Sequence, residues 1–276
     1  MPAHAQDEPA APVFGPVRRL GTVASTQDVA ARAAAAGAPH GSVFVAEAQT
    51  AGRGRRGHGW ASPPGENLYL SLVLRPLAPV AALLPLTLAT ALALAEAVRA
   101  ETSLQPDIRW PNDLLLGGKK CAGVLVETAS EPGGSRLAGP AILGLGLNVN
   151  QTVFAPDLAP LATSLSQTSG RSWDREALLA AILRQLSRRY HQWAAGGVPA
   201  LLADFEAASS YARGRRVRVD GGRSAGADGF TGLTAGLDAS GLLRVRRDGG
   251  GLELVASGDV RPAGAAAPEP NSCCLP

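Results

Sequence analysis

Twenty consecutive residues between Arg75 and Glu96 carry no charge. A run that apolar has to be buried, in a protein core or in a bilayer, and about 20 residues in a helix would span a bilayer. Pro79 and Pro85 interrupt it, alanine and threonine dilute it, and strand-like stretches flank it on both sides. It is therefore read as a buried helix from about Ala81 to Ala100, and no membrane partner is expected. At 276 residues the chain is long enough to wrap one good-sized domain around that helix and add a small second one.

The formal net charge is only +3, which does not fit a dedicated DNA binder with its basic charge grouped on one face. Of three cysteines, Cys273 and Cys274 are adjacent in a tail, so no disulfide framework is expected and a reducing cytoplasm fits. Residues 1–13 lack the cationic and apolar segments of a signal peptide. The final Cys273-Cys274-Leu275-Pro276 has the C-a-a-X form, but proline is unusual at its end and no polybasic segment precedes it.

The chemistry concentrates in Gln49-Thr50-Ala51-Gly52-Arg53-Gly54-Arg55-Arg56-Gly57-His58-Gly59-Trp60. Glycine lets backbone approach a ligand closely, and arginine offers a fixed fork of donors to carboxylate or phosphate oxygens. Gly52, Gly54 and Gly57 match G-x-G-x-x-G, but a dinucleotide fingerprint must open a helix, and here Pro63-Pro64 and an alternating strand follow. A Walker A loop needs lysine where His58 stands. The readings left are a flexible anion clamp, a nucleic-acid patch with Trp60 stacking, and a solvated basic turn.

Residues 1–16 are Ala/Pro-rich and expected to be disordered. Val17 to Val23 suits a short edge strand. Ser25-Thr26-Gln27-Asp28 precedes the helix former Val29–Ala36, where Ser25 or Thr26 is an N-cap or a donor to a small polar ligand. Ser42–Glu47 and Leu68–Leu74 read as strands. Gly117-Gly118 between Leu114–Leu116 and Ala122–Val126 signals a hairpin, and Arg109 with Lys119 and Lys120 suggests a second anion-facing surface. Glu131–Ser135 is a loop. Ala141–Asn150 is an apolar strand whose Gly144 and Gly146 share a face, as for close approach of a ligand or another backbone. Asp174 to Ala195 is a helix finished by Arg188-Arg189, and Pro199 opens another to about Tyr211. From Gly214 to about Pro262, short runs (Val217–Val219, Leu242–Val245, Leu252–Val255) alternate with Gly and Asp turns, as in a small all-β barrel.

In this order the segments resemble the biotin–protein ligases, also called biotin–[acetyl-CoA-carboxylase] ligases, from about Val17 to Pro262. Ser25-Thr26-Gln27 is similar to the family's S-T-N segment, and the arginine loop to its biotin loop. Arg109 to Asp113 with Gly118 to Gly123 resembles its K-W-P-N-D segment and following lysine. Gly144 to Asn150 resembles its G-x-G-x-N strand, and Ser257-Gly258-Asp259-Val260 the end of its SH3-like domain. Gln27 departs from the usual Asn, Arg109 from Lys, and His58 and Gly59 from residues that are often basic. The resemblance implies an α+β fold: a mixed β-sheet catalytic domain with flanking helices, class II synthetase-like, plus a small C-terminal SH3-like β-barrel. The boundaries expected are 1–16 disordered, 17–213 catalytic, 214–262 SH3-like and 263–276 a disordered tail.

The implied reaction activates biotin with ATP and Mg²⁺ to biotinyl-5′-AMP, releasing pyrophosphate. A lysine of a biotin carboxyl carrier domain, of acetyl-CoA carboxylase or another biotin-dependent carboxylase, then takes the biotin. Ser25, Thr26 and Gln49 suit the ureido head, with Gln27, Gly52 and Gly123 in the same biotin set. Arg53, Arg55 and the Gly54 backbone suit the carboxylate and α-phosphate, and Lys120 reaches the same oxygens. Trp60 is an apolar wall, Gly144 and Gly146 leave room for the biotin tail, and Asn112 and Asn148 are nucleotide candidates, Asn148 for adenine. Asp113, grouped with Arg53 and Lys120 as catalytic, orders Lys120 or the metal; no metal ligand is assigned. Some members carry an N-terminal DNA-binding domain; with 24 residues before Ser25, no DNA partner is expected. The oligomeric expectation is a monomer or weak homodimer. A lipoate–protein ligase would need no ureido pocket, and the Q-x-x-G-R-G-R pattern speaks against it.

Overall fold

The computed structural model describes residues 14–128, 139–221 and 229–264. The expected N-terminal and C-terminal disorder, the Glu131–Ser135 loop and Cys273-Cys274 lie wholly or largely outside them.

Twelve strands and five α-helices are described. They run β1 (Val17–Val23), α1 (Thr26–Ala35), β2 (Val43–Gln49), β3 (Leu68–Leu74), α2 (Leu83–Thr102), β4 (Asp107–Arg109), β5 (Asp113–Leu116) and β6 (Lys119–Thr128). Then follow β7 (Ala141–Leu147), α3 (Leu165–Ser169), α4 (Arg175–Ala194), α5 (Val198–Ala208), β8 (Arg213–Asp220), β9 (Phe230–Leu237), β10 (Leu243–Arg247), β11 (Leu252–Val255) and β12 (Asp259–Pro262). The fold is α+β. A seven-stranded sheet is ordered β1-β2-β3-β7-β6-β5-β4, and a five-stranded sheet β11-β10-β9-β8-β12 forms the SH3-like part. Only β1–β2 pairs parallel among the strand pairs described, which makes the large sheet mixed.

The apolar run is indeed a core helix. Val80–Ala82 makes a short 3-10 turn, α2 continues to Thr102, and thirteen of its twenty residues are buried. By length and composition it could cross a bilayer, but here it lies among α4, α5 and β6. Arg188-Arg189, expected as a helix finish, does something else. Arg189 is buried and pairs with Glu96 of α2 and Asp204 of α5, tying three helices together.

The alternation of the sheet decides where a site can be. Val43, Val45, Leu72, Leu74 and Leu143 belong to the large core under α2 and α4. Phe44, Val73 and Ile142 point the other way and are covered by Ala30 and Ala34 of α1. Continuing along that second face past the start of α1, the side chains shrink: Ser71 on β3 faces Gly144 on β7, and Gly146 faces Gly123 on β6. A strip of sheet without bulk is thus left open beside a helix N-terminus.

Candidate active site

Helix α1 begins at Thr26, earlier than its alanine-rich run suggests, because Ser25 caps it: Gln27 N donates to Ser25 Oγ at 3.2 Å. Both polar residues that follow are buried and turned onto the sheet. Thr26 N and Oγ1 donate to Gln49 Oε1 at 2.8 and 3.1 Å. Gln49 Nε2 donates to Ser62 Oγ at 2.9 Å, and Ser62 Oγ to Trp60 O at 2.9 Å. Ser71 Oγ stands 2.9 Å from both Thr26 Oγ1 and Gln27 Oε1, and Gln27 Nε2 donates to Ile142 O at 3.1 Å. Ser71 was not singled out in the sequence, although a lone serine within Leu68–Leu74 was a visible signal.

The open strip is partly filled by protein. A Cβ on Gly144 would stand 2.5 Å from Gln27 Oε1, and one on Gly146 2.5 Å from Trp60 Cε2 and Nε1. A Cβ on Gly123 would stand 3.2 Å from Trp60 Cζ3. The indole therefore lies across the Gly123–Gly146 cross-strand pair, and the Gln27 amide stands over Gly144. Trp60 Nε1 is buried with no hydrogen-bond partner among the described residues.

The arginine loop closes over this strip. Trp60 N donates to Gly52 O at 2.8 Å and Gly54 N to His58 O at 2.7 Å, so the segment doubles back around a 3-10 turn, Arg55–Gly57. Each of the three arginines has its own acceptor. Arg53 pairs with Asp28 at 2.9 Å and Glu127 at 3.1 Å, Arg55 Nη1 donates to Asn112 Oδ1 at 2.8 Å, and Arg56 pairs with Asp259 at 3.3 Å. Burial lowers the Arg55 pKa, with Asp113 and Asp259 opposing it.

Lys120 arrives by an irregularity. The β5–β6 register shifts between Leu114 and Leu115, inserting an extra residue opposite β5. Without it, Lys120 would face away from Gly123; a bulge re-aims a side chain in this way. Its Nζ lies 2.6 Å from Asp113 Oδ1 and 5.3 Å from the Trp60 ring centroid. Arg109 holds Asp113 Oδ2 at 2.6 Å. Burial alone would raise the Asp113 pKa, but the Lys120 and Arg109 cations hold it below its ordinary value. Of the two roles left open for Asp113, the geometry favours ordering Lys120. Of the three cations read as a second anion-facing surface, Lys120 faces the cleft, while Lys119 donates to Ala159 O and Arg109 pairs with Asp113.

These groups surround one open cleft. Ser25, Thr26, Gln27, Gln49, Arg53, Gly54, Arg55, Trp60, Asn112, Asp113, Lys120, Gly123, Gly144 and Gly146 all line it. Gly52 does not: it packs behind the loop, where a Cβ would meet Trp60 O at 2.4 Å. Asn148 does not either. The chain has turned past the end of β7, and the buried Asn148 donates from Nδ2 to Thr163 O at 3.0 Å. Asp259 of the second sheet lines the cleft although no sequence pattern pointed to its place there. Among the described residues, no group of three or more His, Cys, Asp or Glu side chains could hold a metal ion.

The Biotin/lipoate A/B protein ligase family matches residues 21–148. The chain is 38% identical over 251 residues to a biotin–[acetyl-CoA-carboxylase] ligase of Mycobacterium tuberculosis, covering 88% of each protein. It is 36% identical over 244 residues to the bifunctional ligase/repressor BirA of Bacillus spizizenii, covering 86% of this chain and 71% of that one. The biotin protein ligase of Aquifex aeolicus, solved in complex with biotin and ATP, superposes with a TM-score of 0.78 at 28% identity, covering 91% of this chain and 100% of that one.

Proposed function

The chain belongs to the biotin protein ligase family, and from that premise we propose how its cleft does the work. The activity is ATP-dependent activation of biotin to biotinyl-5′-AMP, with loss of pyrophosphate, followed by transfer to a lysine of the biotin carboxyl carrier protein of acetyl-CoA carboxylase. The observation that carries the assignment of roles is the polarity of the cleft. Thr26, Gln27, Gln49 and Ser71 form a neutral hydrogen-bonding end, while Arg53, Arg55 and Lys120 converge on the other. A ureido head suits the first, where every group can donate and accept. A carboxylate attacking an α-phosphate suits the second, where three cations offset the growing charge.

The substrate supplies both nucleophiles, first its carboxylate oxygen and then the carrier's amine, so no protein nucleophile is required. In the first step a carboxylate oxygen bonds the α-phosphorus and the bond to the pyrophosphate oxygen breaks. In the second the amine nitrogen bonds the acyl carbon, AMP leaves with the electron pair, and the amine loses a proton. Lys120, fixed by Asp113 and lying over Trp60, serves as a charge held in place, and Trp60 shields the water-labile anhydride. Asn112 is tied to Arg55 and Val124 O, and orients Arg55 rather than facing a base directly. Mg²⁺ is usually bound through one or two carboxylates plus substrate phosphates. With Asp113 committed to two cations, the ion fits here as a passenger on the nucleotide and not in a protein cage.

The test is pyrophosphate release by purified protein with ATP and Mg²⁺. Release that requires biotin and is not supported by lipoate is expected. Release with lipoate alone would move the chain to the other branch of the family, and release with neither would end the assignment.

A further inference from the structure

Arg56 stands out because the cleft does not use it. It adopts the left-handed conformation, φ 59° and ψ 29°, inside the Arg55–Gly57 turn. That region is disfavoured for a residue with a long side chain, so something outside the turn must hold it there. The holder is the second sheet. Arg56 Nη1 lies 3.3 Å from Asp259 Oδ2 and donates to Asp220 O at 3.2 Å. The seat is shaped for the guanidinium: a Cβ on Gly221 would stand 1.9 Å from Arg56 Nη2. The Asp220 carboxylate is taken by Arg218 and Arg261, which leaves its carbonyl and Asp259 to face the loop. The adjacent Arg55 turns the opposite way, onto Asn112 of the large sheet at 2.8 Å.

We propose that Arg56 and Asp259 form a latch through which the C-terminal sheet positions the arginine loop, and with it Arg55, over the cleft. Two consecutive arginines grip two different sheets, so displacing one moves the other. Both latch partners are part-exposed, 38% and 46%, so the pair can open without unfolding either sheet. Arg56 and Asp259 are thus positioning residues. The latch stands independently of the ligand, while its effect on turnover rests on the ligase reading.

The experiment uses the whole protein without ligand. Trypsin nicking after Arg53 and Arg55 is timed by intact mass, with cleavage after Arg184 on α4 as the control for unfolding. Asp259→Asn should raise nicking at the loop about 2- to 5-fold, the range for a part-exposed ion pair, and leave Arg184 unchanged. Arg56→Gln should do the same, the double variant should add nothing further, and Asp259→Glu should restore much of the protection. In parallel, Asp259→Asn should raise the KM for ATP more than it lowers kcat. Additive effects of the two single variants, unchanged loop nicking, or a parallel rise at Arg184 would overturn the latch. Absent pyrophosphate release from wild-type protein with an intact nicking pattern would overturn the ligase reading and spare the latch.

Discussion

Gly144 and Gln27 can be tested as a fitted pair. A Cβ on Gly144 would stand 2.5 Å from Gln27 Oε1, 3.1 Å from its Cδ and 3.5 Å from its Nε2. The amide has nowhere cheap to go. Gln27 is 3% exposed, its Nε2 donates to Ile142 O at 3.1 Å, and its Oε1 is 2.9 Å from Ser71 Oγ. Clearing the new methyl breaks one or both bonds, each contributing about 0.5–1.5 kcal/mol net. Gly144→Ala should therefore cost about 1–3 kcal/mol, the same range as overpacking a core. At roughly 2–4 °C per kcal/mol for a chain of this size, Tm should fall by several degrees. Gln27→Asn withdraws the amide by one methylene and by itself loses the same bonds, at about 1–3 kcal/mol. Combined, the methyl occupies space the shorter side chain has left, so the double variant should lose about 1–2 kcal/mol less than the sum. Urea unfolding of the four proteins measures the coupling. An additive cycle, or Gly144→Ala within about 0.5 kcal/mol of wild type, would refute the claim that Gln27 fills the space over Gly144.

Gly146→Ala should expel the indole of Trp60, whose Cε2 and Nε1 would lie 2.5 Å from the new methyl; a red shift in emission that disappears in a Trp60→Phe background is the check. Asp113→Asn should cost about 2–4 kcal/mol at neutral pH, because it strips Lys120 and Arg109 of their shared counter-charge. The folded Asp113 pKa is depressed, so its stabilisation is present above the unfolded value of about 3.9 and fades as pH falls through the folded value. Acid titration of stability should then show a flatter limb below about pH 4 in the variant than in wild type. Burial pushes the Cys121 thiol up to about 12, so peptide mapping after alkylation at pH 8 should find it unmodified until the protein is denatured.

Patterns of local origin were legible. Leu68–Leu74 as a strand and the uncharged run as a core helix follow from periodicity and length, and both stand where expected. Strand β9, Phe230–Leu237, was missed because Gly232 and Gly236 and small polar residues dilute its alternation. Helix α3, Leu165–Ser169, is a single capped turn or so, too short to show a period. For α1 the sequence left Ser25 or Thr26 as the cap; Ser25 takes that place, so Thr26, Gln27 and Asp28 form the first helical turn ahead of the alanine-rich run.

The site was legible through residue types, but not through what those residues do to one another. Glycines at 123, 144 and 146 were visible as gaps, and gaps in a strand say only that something comes close. Which group comes close depends on α1 delivering Gln27 and on the loop delivering Trp60, and both are settled by contacts between distant segments. Arg53, Arg55 and Arg56 likewise read as one cationic patch, because spacing cannot reveal Asp28, Asn112 and Asp259 as three separate acceptors. Those three acceptors lie on α1, at β5 and on β12, so the loop works as a junction between helix and two sheets. Within that junction Gly57 supplies the turn geometry, at φ 79°. An anion that enters the cleft therefore competes with Asp28, Glu127 and Asn112 for the donors of Arg53 and Arg55.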